Sequence, residues 1–243
     1  MPLDSAPLQD FYDSRTGQVA RRLVSRRLRE AWPDLTGQRL LGLGYASPYL
    51  RLFSDAERAL AAVPAEEAHP YANAGRCQMA LVDEAALPFP DASFDCVLVI
   101  HGLEVAEAQR PFLREVWRVL TPAGRLMLVV PNRASLWAQL ETTPFGHGQP
   151  FSRGQLQRLL QQSLFLAEFW SYALYAPPFG RYRSVNAGTL SEKIGSRLWP
   201  GLAGVQIVSA TKSMYVPIPG KEVRRKVLKP AFANGGQSRS EKP

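Results

Sequence analysis

Apolar positions change their period several times along the chain, and each change marks an element. Val19, Ala20, Leu23, Val24, Leu28, Ala31 and Trp32 recur at helical spacing. That predicts an amphipathic helix over 15–32, with Arg15, Arg21, Arg22, Arg26, Arg27 and Arg29 on its solvated face. Short apolar runs then alternate with helical stretches. Runs over 38–43, 59–63, 77–82, 96–100 and 125–130 are near-continuous rather than alternating, as in strands covered on both faces. The pattern predicts a mostly parallel sheet with helices on both sides.

Between the fourth and fifth runs, Phe112, Leu113, Val116, Trp117 and Leu120 form one stripe of a helix over 110–120, with Pro111 in its first turn. Thr121, Pro122 and Gly124 are expected to end it. Ser152 with Gln155 three residues on makes a capping box for a helix reaching about residue 162. Residues 165–175 read as a strand broken by Pro177 and Pro178, residues 185–199 as a helix, and 205–215 as a final strand. The last two strands form a partly antiparallel edge.

Composition adds limits to this picture. With 243 residues, 46% hydrophobic and 21% charged, the chain is an ordinary globular one, long enough for a single substantial core. Its longest apolar runs are far short of the roughly 20 residues that span a bilayer. The start, MPLDSAPLQD, lacks a basic and apolar leader, so a cytoplasmic location is expected. Cys77 and Cys96 alone cannot build a disulfide framework or a metal knuckle. The net charge of +8 is concentrated at the end, where seven Lys/Arg against Glu222 and Glu241 put +5 into 220–243. Residues 1–219 are therefore read as one domain and 220–243 as a basic, disordered tail, which solubilises more readily than it recognises nucleic acid.

In an open α/β sheet the ligand crevice lies beyond the carboxyl ends of the strands, where strand order reverses. After the first strand the chain reads LGLGYASPYL, with Gly42 and Gly44 free to approach other backbone closely. Ser47 before Pro48 is expected to cap a helix whose free N–H groups face that loop. An ordinary tight strand-to-helix turn would read the same way.

The segment from Ala80 to Asn132 is more specific. It supplies Asp83, Leu87-Pro88-Phe89, Asp91, Ser93-Phe94-Asp95, Val97, Leu103-Glu104, Leu113, Glu115, Arg118-Val119-Leu120, Pro122 and Gly124. This block resembles the class I S-adenosylmethionine-dependent methyltransferases of the methyltransferase type 11 group, strongly over some fifty residues and diffusely over most of the chain. The resemblance implies a three-layer, doubly wound, Rossmann-like α/β fold, with a mostly parallel seven-stranded sheet and an antiparallel terminal strand. It also implies S-adenosyl-L-methionine as cofactor. Asp83 would accept from the adenine amino group and Glu84 would offer its backbone N–H. Gly42, Gly44 and Ala46 stand in the family's first loop, but Gly42 replaces its acidic residue, and Ala46 and Pro48 replace two glycines. The ribose-binding acid has no clean equivalent, and Glu66 or Glu67 is the candidate.

His101 follows the fourth strand, where the reactive methyl group would lie, and an imidazole there can act as general base or contact the substrate. A plain core histidine would also fit. Tyr12 and His147 are candidates for the substrate pocket, and Tyr12 and Tyr45 for a lid or for contacts to the cofactor carboxylate. Asp95 reads as a structural tie at the start of its strand, and Cys96 as a small core residue. His69 and His147 are not paired at ligand spacing, so no metal site is expected. The reading is a methyltransferase acting on a small molecule, with no specific nucleic-acid partner. The main alternative is a non-catalytic protein that keeps the fold for binding or regulation. A nicotinamide dehydrogenase is disfavoured by Ser47 at the third glycine position. A nucleic-acid methyltransferase is disfavoured because His-Gly-Leu-Glu follows the fourth strand.

Overall fold

The computed structural model describes residues 5–64, 77–83, 86–140, 143–175, 178, 192, 195, 197–199 and 201–214. The expected tail over 220–243 and most of the helix expected over 185–199 lie outside these residues. The expected helix over 15–32 is α2 (Arg15–Ala31), capped by Ser14, whose side chain accepts from the Gly17 N–H. A helix that the periodicity reading did not identify, α1 (Ser5–Asp13), precedes it.

The strands β1 (Arg39–Gly44), β2 (Arg58–Pro64), β3 (Cys77–Val82), β4 (Phe94–Ile100) and β5 (Leu120–Pro131) pair in parallel. The later strands β6 (Phe165–Ala173) and β7 (Val205–Lys212) complete a seven-stranded sheet in the order β3-β2-β1-β4-β5-β7-β6. Only β7 runs against its neighbours, antiparallel to both β5 and β6. Because β1 lies between β2 and β4, the chain winds outward through β2 and β3 and then returns to the other side of β1. In sheets of this kind that reversal, here at the carboxyl ends of β1 and β4, is where ligands bind.

Alternate residues of the central strands feed two cores. Leu40, Leu98, Ile100, Met127 and Ile207 face α1 and α2, meeting Leu8, Leu23 and Leu28. Leu41, Val97, Leu126, Leu128 and Val208 face α4 (Gln109–Val119) and α5 (Arg153–Gln162), meeting Leu113, Val116 and Leu160. Full burial of each such side chain is worth about 1.5–3 kcal/mol, so the two faces supply most of the drive to fold. The capping box of α5 forms as the spacing predicts, with Gln155 N–H donating to Ser152 Oγ and Ser152 N–H to Gln155 Oε1.

Two local expectations need correction. Ser47 does not cap a helix. It lies within the four-residue helix α3 (Ser47–Leu50), whose cap residue Ala46 has no side-chain hydrogen bond. The helix ends at Val119, ahead of these residues as expected, but Thr121, Pro122 and Gly124 already lie within β5, which starts at Leu120 rather than at Arg125. The pairing steps from Phe94↔Leu120 to Cys96↔Arg125, so the segment bulges out of the ladder. A side chain at Gly124 would meet the Thr121 carbonyl oxygen at 2.8 Å, which explains the glycine.

Asp95 ties the amino end of β4 to β1. Its carboxylate accepts from the Arg39 backbone N–H at 3.0 Å, from Arg39 Nε at 2.9 Å and from Nη2 at 3.1 Å. Those bonds hold the Asp95 carboxyl below the usual carboxylate range. A depressed folded pKa gives stability that is full above the unfolded value of about 3.9 and is lost as pH falls through the folded one. Asp95→Asn should therefore be less stable than the native chain at pH 6, with the gap closing as pH falls below 4. Urea titrations across this range check it, and a gap independent of pH would contradict it.

Candidate active site

The carboxyl ends of β1 and β4 are bound to each other. Tyr45 N–H donates to the Ile100 carbonyl at 2.7 Å, and Gly44 turns the chain with φ +62°. A Cβ at Gly44 would lie 2.5 Å from the Ile100 oxygen and 3.0 Å from Gly102 N. Glycine is thus required by the neighbouring strand's backbone, independently of any ligand. Two residues earlier in β1, a Cβ at Gly42 would lie 2.9 Å from the Ala46 Cβ and 3.0 Å from a Leu50 methyl. Ala46 therefore occupies the space into which an acid at position 42 would project. Gly42 and Ala46, two of the three departures from the family's first motif, are thus in contact.

His101 is the first residue beyond β4, with φ +51°. A left-handed backbone is uncommon for a residue with a side chain, costing roughly 1–2 kcal/mol, though histidine is among those that adopt it. The imidazole is only 4% exposed and held at both nitrogens. Nδ1 lies 3.0 Å from Glu104 Oε1 and Nε2 lies 2.8 Å from the Tyr12 hydroxyl. With Glu104 accepting, Nδ1 carries the hydrogen and the Nε2 lone pair accepts from Tyr12 O–H. Tyr49 O–H donates in turn to the Tyr12 oxygen at 3.4 Å. Burial pushes the Tyr12 and Tyr49 phenols well up from their ordinary range, so both are neutral donors. Glu104 is 2% exposed, and its second oxygen, Oε2, has no hydrogen-bond partner among the described residues.

Asp83 is exposed beyond β3, where its carbonyl accepts from the Ala86 N–H at 3.1 Å. Glu84, Glu66 and Glu67 lie outside the described residues. The strongest sequence block turns out to be scaffold for this loop. Arg118 donates to the carbonyls of Leu87 at 2.9 Å and Phe89 at 2.8 Å, and to Asp91 and Glu115 at 2.7 and 2.8 Å. Glu115 accepts from the Leu87 N–H at 3.0 Å. The guanidinium pulls the Glu115 carboxyl down, and the two carboxylates push Arg118 up.

His147 ends a short turn, its N–H donating to the Pro144 carbonyl at 3.3 Å. The same loop reaches the His101 cluster through other residues. Phe145 lies 4.9 Å from the His101 ring, and Gln149 N–H donates to the Glu104 carbonyl at 2.8 Å. Gly148, at φ +72°, is pressed against that same carbonyl. Cys96 is buried, with burial pushing its thiol up, so it is a core residue rather than a nucleophile. His69 lies outside the described residues, among which no group of His, Cys, Asp and Glu could hold a metal ion. No helix among them is long and apolar enough to cross a membrane.

Asp83 at the end of β3 is separated from Gly44 at the end of β1 by one intervening strand, hence by about 10 Å. The exposed Asp83 carboxylate stands at one end of that span. At the other, the orphaned Glu104 Oε2 suits a cation. Periodicity reasoning did not identify α1, whose Leu8 and Tyr12, four residues apart, are the signal that could have found it. It also did not pair Glu104 with His101, although their i,i+3 spacing was visible.

Comparison with known proteins agrees with this geometry. A family model described as a methyltransferase domain matches residues 41–128. Over 44 residues the chain is 52% identical to the ubiquinone/menaquinone biosynthesis C-methyltransferase UbiE of Hahella chejuensis, covering 18% of each protein. Over 70 residues it is 40% identical to the demethylmenaquinone methyltransferase of Deinococcus radiodurans, covering 28% of this chain and 29% of that one. The chain thus spans less than a third of the length of these curated relatives. Among solved structures, a chain from the complex of the Haloferax volcanii Trm112 methyltransferase activator with a methyltransferase is similar over 88% of this chain and all of that one. Its TM-score is 0.64 at 17% identity. An S-adenosylmethionine-dependent methyltransferase from Aquifex aeolicus matches over 86% of this chain and 99% of its own, with TM-score 0.60 and 14% identity. Residues 41–128 thus match a methyltransferase domain, and the chain shares the fold of solved S-adenosylmethionine-dependent methyltransferases.

Proposed function

We propose that this chain transfers the methyl group of S-adenosylmethionine to a small-molecule acceptor at the carboxyl ends of β1 and β4. The observation that carries the reading is a buried imidazole at the reversal of strand order, held on one nitrogen by Glu104 and offering the other to a hydroxyl. When bound, the cofactor supplies an electrophilic sulfonium methyl. The chain supplies orientation, which can contribute on the order of 7–11 kcal/mol without a dedicated nucleophile. In this reading Asp83 accepts from the adenine amino group, Glu84 offers its backbone N–H, and Glu66 takes the ribose. The turn through Gly42, Gly44 and Ala46 backs the methionine end, and His101 Nε2 takes a proton from the acceptor. His147 borders the acceptor through its loop.

A non-catalytic binding protein is the second reading. It is favoured by Tyr12, which covers His101, and by Ala46, which fills the place of the lost acid. Ligand affinity separates residues that bind from residues that merely fold. Asp83→Ala should weaken S-adenosylhomocysteine by roughly tenfold or more, since a hydrogen bond to a charged acceptor is worth about 1.5–3 kcal/mol. Thermal-shift titration reads it, because a ligand that binds only the native state raises the melting temperature. Equal affinities in the two proteins would remove Asp83 from the site.

A further inference from the structure

Tyr12 sits where an acceptor has to be. Its ring stacks on Tyr45 at 4.9 Å and 14° from parallel, and it meets Tyr49 edge-on at 6.4 Å. Its hydroxyl points at His101 Nε2, 2.8 Å away. A stacked ring and a hydrogen-bonded hydroxyl are the contacts by which a para-substituted phenol would be held.

A tyrosine that only filled space would not need this surrounding. Here its hydroxyl is satisfied by an imidazole on a left-handed backbone, backed by a buried carboxylate with an orphaned oxygen. The left-handed backbone and the unpartnered buried oxygen are both unfavourable to the fold, whereas a phenylalanine at position 12 would fill the same space with no polar group to satisfy. The seat is therefore built for an aromatic hydroxyl, and α1 brings one to it. The helix is joined to α2 at Ser14, and Gly17 lets the two helices touch. A Cβ there would overlap the Phe11 carbonyl oxygen and lie 2.6 Å from the Tyr12 Cα.

Building on the methyltransferase reading, we propose that the acceptor is a hydroxylated aromatic ring that displaces Tyr12. It stacks on Tyr45 and donates its hydroxyl to His101 Nε2, while α1 moves aside. Tyr12 is then an internal surrogate that closes the seat until an acceptor arrives.

The test uses p-cresol, which is the tyrosine side chain itself, and toluene, which has nearly the same shape without the hydroxyl. Full-length native protein should bind p-cresol, and saturating p-cresol should raise amide hydrogen exchange across 8–13 at least fivefold as α1 is released. Tyr12→Ala, with the seat already open, should bind p-cresol tighter than the native chain does, and about five- to tenfold tighter than it binds toluene. Substituting His101→Leu as well should abolish that preference. If Tyr12→Ala does not fold, Gly17→Ala replaces it, because it pushes α1 outward and should tighten p-cresol binding in the same direction. No binding of p-cresol to native protein, binding without change in exchange across 8–13, or equal binding of p-cresol and toluene overturns the proposal. S-adenosylhomocysteine is titrated into the same samples. Its retained binding would confine such a failure to the acceptor class, whereas its absence would overturn the methyltransferase reading itself.

Discussion

Gly44→Val is expected to lower native stability by about 2–5 kcal/mol, a large fraction of what a domain of this size possesses. Two effects add. A side chain at φ +62° pays the left-handed penalty of roughly 1–2 kcal/mol, made worse by β-branching. The Cβ would also lie 2.5 Å from the Ile100 oxygen, which is backbone of a central strand and cannot swing away. Relieving that overlap means separating β1 from β4, an overpacking cost of about 1–3 kcal/mol. Gly44→Ala should fall between the native chain and the valine variant. Urea denaturation monitored by circular dichroism measures the series, and a valine variant as stable as the native protein would show that the turn can relax.

Arg118→Met is expected to cost about 2–4 kcal/mol and to loosen the loop between Asp83 and Asp91. One guanidinium satisfies two carbonyls and two carboxylates there, and charge-assisted hydrogen bonds are worth about 1.5–3 kcal/mol each before partial exposure reduces them. Methionine keeps the aliphatic stem but leaves the Leu87 and Phe89 carbonyls without this donor. Arg118→Lys should recover little, because an ammonium cannot span the fork. Faster hydrogen exchange at Leu87 and Phe89, together with a lower urea midpoint, checks the expectation. An unchanged loop would mean that the Arg118 network is incidental.

The Arg118 network also shows why sequence was informative about the fold and less so about the chemistry. The Leu87 to Arg118 motif is dense because one side chain must reach four partners at fixed separations, and such constraints leave a readable pattern. The apolar runs of β1 to β5 were legible for a similar reason, since burial on both faces removes polar alternation. The bulge through Thr121, Pro122 and Gly124 was not legible, because turn chemistry reads alike whether the chain leaves the sheet or merely bows out of it. His101 could be singled out by its place after β4. Its partners could not, since Tyr12 arrives from 89 residues away on a nine-residue helix. The meaning of Gly42 needed three dimensions as well, because only the contact with Ala46 explains why the acid could be lost.

The most direct measurement is calorimetric titration of the full-length protein with S-adenosylhomocysteine and, separately, with NAD. The proposed cofactor site, from Asp83 past Gly44 to Glu104, should bind one S-adenosylhomocysteine per chain with micromolar-range affinity and give no heat with NAD. Folded protein that shows no heat with S-adenosylhomocysteine at millimolar concentration, or that binds NAD instead, would contradict it.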